Sequence, residues 1–296
     1  MIYLERFTLP TQEQEDLFLS SIRRTCYDSR YPFHVFRYRR LPPLEFSPIT
    51  IFYGENGSGK STILNVLAEK LELPHTALYN RTHFFRDYLT LCQAETSFRF
   101  DKDAQQRSRI ITSDDVFDCL LNIRTLNEGI TQKREELLQE YTRAKFSSFQ
   151  LGSLADYEEL KKHADATRYS GSQYVRRNLM REVRTHSNGE SALAYFTASI
   201  QEQGLYLLDE PENSLSPSHQ VELADFLSHS ARFFDCQLVI STHSPFLLAI
   251  PGAKIYDLDA DPTRPRKWTE LENVLVYRDF FRQHEQEFNQ TGGSYG

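Results

Sequence analysis

Short apolar runs separated by polar, turn-rich stretches dominate this chain, and their lengths decide which are strands. The runs at 49–53, 109–112, 204–208, 236–242 and 254–259 are short, mostly unbroken by charge and rich in Ile, Val, Leu and Tyr. That pattern predicts strands buried on both faces. Between them the spacing changes. Ile63, Leu64, Leu67 and Leu71 recur every three or four residues and predict a helix over 61–71. Helices are predicted at 190–202, 217–234 and 271–288, and Thr291 to Gly296 as a frayed tail. Strands and helices in alternation imply an α/β fold with a mainly parallel sheet covered by helices.

Two stretches depart from that alternation. Residues 1–60 carry short β-like runs broken by Arg and Pro. Residues 74–186 are charged, with the strand 109–112 and then a helical pattern through Leu120, Ile123, Leu126, Leu137 and Leu138, interrupted at Gly152 and Gly171. The expected organisation is one domain over 1–296, with 74–186 a mostly helical lateral insert.

Composition narrows the class. The 40% hydrophobic and 25% charged residues of this 296-residue chain are ordinary for a globular protein. Lys and Arg number 34 against 41 Asp and Glu, a net charge of -7 that does not indicate a nucleic-acid-coating protein. The basic clusters Arg37-Tyr38-Arg39-Arg40 and Arg176-Arg177 to Arg184 could touch phosphate backbones, but by default each is a solvated helix face. No transmembrane segment is expected, since no apolar stretch approaches ~18 residues. The start, Met1-Ile2-Tyr3-Leu4-Glu5-Arg6, does not read as a signal peptide. Cys26, Cys92, Cys119 and Cys236 form no C-x-x-C pair and are expected to be buried reduced thiols, which suits the cytoplasm.

The candidate chemistry lies at the ends of the predicted strands. Gly54-Glu55-Asn56-Gly57-Ser58-Gly59-Lys60-Ser61, followed by Thr62, fits the phosphate-binding pattern G-x-x-x-x-G-K-[ST] (Walker A) between a strand and a helix. Its glycines permit close backbone approach, its N–H groups and the following helix N-terminus attract phosphate, and Lys60 adds a point charge. The Ser61 hydroxyl is a candidate Mg²⁺ ligand. Leu205-Tyr206-Leu207-Leu208 ends in Asp209-Glu210. Asp209 is the candidate metal acid and Glu210 the candidate base for an attacking water. His243, after the apolar run 238–240, could reach a γ-phosphate. Ser187-Asn188-Gly189-Glu190 opens a predicted helix and suggests a second anion site, supplied to another subunit. Asp259 to Asp261 are expected to cap a strand-end turn.

These elements, in this order, resemble the ABC-type ATPase superfamily. The segment Asp209-Glu210-Pro211-Glu212-Asn213-Ser214-Leu215-Ser216-Pro217 is similar to small soluble ATPases related to OLD-type proteins and SMC-type heads. The resemblance implies ATP and Mg²⁺ as cofactors. It further implies a head-to-tail homodimer with two ATP molecules held between the P-loop of one copy and Ser187, Gly189 and Glu190 of the other. Ser216 stands where the family has Asp. Ser113 and Asp114 occupy a place equivalent to the family's glutamine loop, and Tyr27 is a candidate for stacking adenine.

The function expected from these readings is an ATP-hydrolysing ABC-type ATPase. Its dimerisation cycle would regulate a separate protein effector, with one acting on nucleic acid among the candidates. The competing expectation is the ATP-binding subunit of a membrane transporter.

Overall fold

Strand burial sets the architecture. The computed structural model describes residues 1–22, 27, 29–37, 39, 41–146, 157–179 and 188–291. The strands run in chain order as β1 (Leu4–Thr8), β2 (Leu44–Glu45), β3 (Ile49–Tyr53), β4 (Gln93–Thr96), β5 (Arg109–Thr112), β6 (Leu205–Asp209), β7 (Gln237–Ser241), β8 (Lys254–Asp257) and β9 (Arg264–Arg266). Every residue of β3 and β7 is buried, as are the first four of β6. Strands apolar on both faces need cover on both, and here they form the centre of a six-stranded sheet of order β5-β6-β7-β3-β8-β9. All neighbours are parallel except the antiparallel edge pair β8–β9.

The expected strands and the helices around them are present with shifted ends: helices Lys60–Lys70, Asn188–Ser199, Pro217–Phe233 and Glu272–Gln283. Elements that were not expected include the helix Gln12–Ser21, the short helices Phe85–Leu91, Lys102–Arg107 and Pro245–Leu248, and the strands β4 and β9. The first of these helices begins at Thr11, whose hydroxyl accepts from Gln14 N while Gln14 Oε1 accepts from Thr11 N. This capping box can be read directly as T-x-x-Q. The strand β4 is mostly exposed and pairs only at the edge of a small antiparallel sheet, β2-β1-β4, so it lacks the apolar run that marks a core strand. Gln237, the first residue of β7, joins the two sheets. Its side-chain oxygen accepts from Tyr3 N and Leu4 N at 2.7 and 2.8 Å, and its amide donates to Leu4 O at 2.8 Å.

By internal packing the chain divides into two units, Met1–Phe117 with Asn188–Gly296, and Asp118–Ser187. The second unit is helical. It holds most of the helix Ser113–Phe146 and the helices Tyr157–Arg168 and Gly171–Asn178. Its small core gathers Leu137, Tyr174 and Val175. Tyr174 donates to Glu140 Oε1 at 2.6 Å, which holds the Glu140 carboxyl below its ordinary range. Arg176 and Arg177 lie exposed on the last of these helices, whereas Arg184 and the tail from 292 onward lie outside the described residues. No described helix is long and apolar enough to cross a membrane. Cys92, Cys119 and Cys236 are free; burial pushes the Cys92 thiol up to about 12, while Cys119 is only half-buried and Cys26 lies outside the described residues.

Candidate functional site

Parallel neighbours bring their carboxyl ends to one edge of the sheet, and the sequence motifs sit at those ends. The register pairs Thr112 with Asp209, Asp209 with Ser241, Phe52 with Ser241 and Tyr53 with Asp257. The loop 54–59 after β3 is therefore flanked by the chain leaving β7 on one side and the chain leaving β8 on the other.

Within the loop, Gly57 and Gly59 adopt left-handed φ values of 81° and 96°, which favour glycine. A Cβ on Gly54 would lie 2.6 Å from Ser58 Oγ, and one on Gly59 would lie 2.5 Å from a Phe36 ring carbon. The helix Lys60–Lys70 starts at Gly59 with no side-chain cap, so its first N–H groups are left to an anion. The Lys60 side chain is almost fully buried, and its Nζ donates to Gly54 O at 2.7 Å and Glu55 O at 3.1 Å. These bonds hold two loop carbonyls on the lysine, and Glu55 O also accepts from Ser58 N at 3.0 Å.

The acidic strand meets this loop. Ser61 Oγ donates to Asp209 Oδ1 at 3.0 Å, and Ser241 Oγ donates to the same oxygen. Burial raises the Asp209 carboxyl and those two hydroxyls pull it back down. Glu210 Oε1 lies 3.6 Å from Lys60 Nζ, and Asn213 Nδ2 donates to Glu210 Oε2 at 3.1 Å. The Glu210 backbone is left-handed, at φ 46° and ψ 54°, a conformation that costs a non-glycine residue about 1–2 kcal/mol. It persists because Glu210 N donates to Ser241 O and Oγ on the neighbouring strand, so the tertiary setting fixes it.

Glu212 has no assigned role in the sequence motifs. It is buried, and its Oε1 accepts from Thr242 Oγ1, His243 N and Ser244 N at 2.6, 2.9 and 3.2 Å. It thereby fixes the backbone that carries His243. The His243 ring is half exposed, with Nδ1 3.4 Å from Glu212 Oε1 but without hydrogen-bond geometry. Asn273 Nδ2 holds His243 O at 2.9 Å, and Asn273 N donates to Tyr53 Oη at 3.1 Å. A cleft of about 440 Å³ opens here, lined by Tyr53, Gly54, Glu55, Asn56, His243 and the first turn of the Glu272–Gln283 helix. The signal for Glu212 in the sequence was its place behind Pro211, where an acid is left over after Asp209 and Glu210 are assigned.

Other predicted residues lie elsewhere. Gly189 and Glu190 open the helix Asn188–Ser199, where a Cβ on Gly189 would lie 2.7 Å from His219 Nδ1. Ser187 lies outside the described residues. Ser216 caps the helix Pro217–Phe233, its oxygen accepting from His219 N. Tyr27 stacks on His83 at 4.9 Å, and Ser113 and Asp114 begin the long helix. Two readings are corrected. Arg37 and Arg39 do not lie on a solvated helix face; they sit in turns, where Arg37 pairs with Asp16 and Arg39 Nη1 donates to Ser58 O of the loop. Asp259 does more than cap a turn, because its Oδ2 accepts from Glu55 N at 2.7 Å. Neither contact could be read from local spacing, since each spans residues far apart in the chain.

A family model described as "AAA domain, putative AbiEii toxin, Type IV TA system" matches residues 130–249, a span that holds Asp209, Glu210 and His243 but not the loop 54–61. No curated protein matches the chain. Similar solved structures include the head domain of Smc with an extended coiled coil bound to the C-terminal domain of ScpA, from Pyrococcus furiosus. It is 12% identical, covers 95% of this chain and 100% of its own, and has a TM-score of 0.45. Another is a dimeric ATP-binding cassette in a post-hydrolysis state bound to ADP and Pi, 14% identical over 77% of this chain and 90% of its own, with a TM-score of 0.36. The family match, which spans less than half of the chain, and the motif order support a P-loop ATPase with a mixed α/β fold and a mainly parallel sheet.

Proposed function

We propose that this chain binds ATP with Mg²⁺ at the 54–61 loop, hydrolyses it, and uses the cycle to join and separate two copies that regulate a separate protein. The observation that carries this reading is the convergence of Lys60, Ser61, Asp209 and Glu210. Ser61 Oγ bonds Asp209 across 148 residues of sequence, and Lys60 Nζ lies 3.6 Å from Glu210 Oε1. A hydroxyl beside a carboxylate, next to a loop of free N–H groups, is the hard-oxygen set that suits Mg²⁺. Ser61 and Asp209 would hold the ion, which when bound neutralises charge on the β- and γ-phosphates.

The chain's own residues divide the remaining work. Lys60 Nζ keeps two donors on Gly54 O and Glu55 O and gives its third to a phosphate oxygen, aided by the N–H groups of Gly57 and of Gly59 to Thr62. Glu210 takes the proton from the water that attacks the γ-phosphorus, as the bond to the bridging oxygen breaks and ADP leaves. Asn213 bonds one of its oxygens and so orients the other. His243, with its backbone fixed by Glu212 and its ring half exposed, orients the γ-phosphate. Gly189 and Glu190, in the first turn of the helix Asn188–Ser199, together with Ser187 before it in sequence, would meet the γ-phosphate held by the second copy. Two such contacts across an isologous pair reinforce one another.

Light scattering on a sizing column tests the assembly. Glu210→Gln with ATP and Mg²⁺ is expected to run as a dimer and with ADP as a monomer, and adding Ser187→Arg is expected to restore the monomer. A mass that ignores the nucleotide removes the two-copy model.

A further inference from the structure

The loop 54–61 is braced from outside by residues that no phosphate-binding motif contains. β8 is the parallel neighbour of β3, with Tyr53 opposite Asp257 and Leu258 N donating to Tyr53 O at 2.9 Å. The chain leaving β8 therefore passes along the loop leaving β3. Asp257 is anchored there by Arg266 of β9 at 3.1 Å, and its Oδ1 accepts from Asp259 N at 3.1 Å. Asp259 in turn receives Glu55 N at 2.7 Å. From the other side, Arg39 donates to Ser58 O, and its second nitrogen lies 3.8 Å from Asp259 Oδ1. Phe36, three residues earlier, closes against Gly59 so tightly that no side chain fits there.

We propose that Asp259 and Arg39 form a clamp that fixes the 54–61 loop in its phosphate-binding shape, as positioning residues acting through the loop backbone. The assignment rests on the reading of that loop as a nucleotide site. The physical reason lies in which way each peptide faces. Asp259 takes the Glu55 N–H, Lys60 takes Gly54 O and Glu55 O, and Arg39 takes Ser58 O. With the carbonyls and the Glu55 N–H held by these partners, the N–H groups of Gly57, Gly59 and Lys60 are left for an anion. Asp259 also places a negative charge beside a site for phosphate, and Arg39 offsets it. The two members are therefore unequal: losing Arg39 releases a carbonyl and leaves Asp259 uncompensated, whereas losing Asp259 releases one N–H and removes an anion.

Both side chains are partly exposed, so screening holds each effect to a modest size. The test measures ATP affinity by calorimetry and steady-state turnover of the full chain. Arg39→Ala is expected to raise Kd and KM about tenfold, and Asp259→Ala about threefold to fivefold, with kcat at saturation unchanged. Asp259→Asn, which keeps an acceptor for Glu55 N–H, is expected to return affinity to within about twofold of the parent. The double variant is expected to lose less than the two single losses combined, because the uncompensated charge is gone. The Glu55 amide proton shift, followed by NMR without nucleotide, is expected to move in Asp259→Ala and stay in Asp259→Asn.

Equal loss of kcat and affinity with a lower thermal midpoint would reduce both residues to general structural support and overturn the clamp. So would unchanged KM in folded Arg39→Ala and Asp259→Ala, or a Glu55 amide that ignores Asp259→Ala. Lys60→Ala serves as the control. If it still binds ATP, the nucleotide reading itself fails; if it does not while Arg39→Ala and Asp259→Ala bind normally, only the clamp fails.

Discussion

The two units of this chain are built by opposite routes. The unit of Met1–Phe117 with Asn188–Gly296 is held by pairing between strands remote in sequence, and β3, β6 and β7 are its buried centre. The unit Asp118–Ser187 is made of local helices around a core as small as Leu137, Tyr174 and Val175. Non-local pairing costs more chain entropy to form, yet it brings distant residues to one sheet edge. The candidate chemistry lies where that cost was met. Lys60, Ser61, Asp209, Glu210, Glu212 and His243 all belong to the first unit, and they bond to one another or to its loops and strands. A sheet edge can position a carboxylate to within a hydrogen bond; a lightly packed helical lobe serves better as a surface that can vary.

The most direct challenge to this contrast is Lys60→Ala, which is expected to abolish tight ATP binding while leaving the fold intact. Each charge-assisted phosphate contact is worth about 1.5–3 kcal/mol, and calorimetry on folded protein reads the loss. Parent-like affinity would remove the chemistry from the sheet edge. Glu210→Gln comes next. It is expected to bind ATP normally and to lose about 10²–10⁴ in turnover, because the amide cannot accept the proton. Single-turnover assays measure this, and full activity would pass the role to another residue, His243 first.

Packing itself separates the units less sharply. Leu207→Ala in the middle of β6 is expected to cost about 2–5 kcal/mol of stability. Val175→Ala in the helical unit is expected to cost about 1–2 kcal/mol, since fewer methyl groups leave a smaller core. Denaturant titration compares them, and equal losses would mean that the helical unit is as tightly packed as the sheet.

A slighter effect is expected at Glu15, buried beside the segment that braces the loop and accepting from His34 N at 2.9 Å. Burial, the main cause, raises its carboxyl above the ordinary range. The folded form thus binds its proton more tightly than the unfolded chain. That contribution to stability is complete at pH values below the unfolded pKa and is lost as pH rises through the folded one. Glu15→Gln, which mimics the protonated group, is therefore expected to raise the thermal midpoint at pH 7 by about 1–2 °C. The difference is expected to close at pH 4. A midpoint lowered at pH 7 would mean that the ionised carboxylate is the stabilising form.

The sequence alone determined the elements whose signals are local. The apolar runs identified β3, β6 and β7, because strands buried on both faces are mostly apolar, and the short apolar pairs Ile110-Ile111 and Ile255-Tyr256 marked β5 and β8. The pattern Gly54 to Ser61 marked a phosphate loop, because only glycine readily tolerates the backbone at Gly57 and Gly59. Spacing also marked Asp209, Glu210 and His243 as strand-end residues. Tertiary structure decided what those residues touch. The left-handed turn at Glu210 depends on Ser241, the anchoring of His243 on Glu212 and Asn273, and the loop's outer contacts on Arg39 and Asp259. Short exposed strands such as β4 and β9 escaped notice because pairing, not composition, makes them strands. A hydrogen bond from Glu55 to Asp259 joins residues that no periodicity relates, and only the parallel pairing of β8 with β3 brings them within reach.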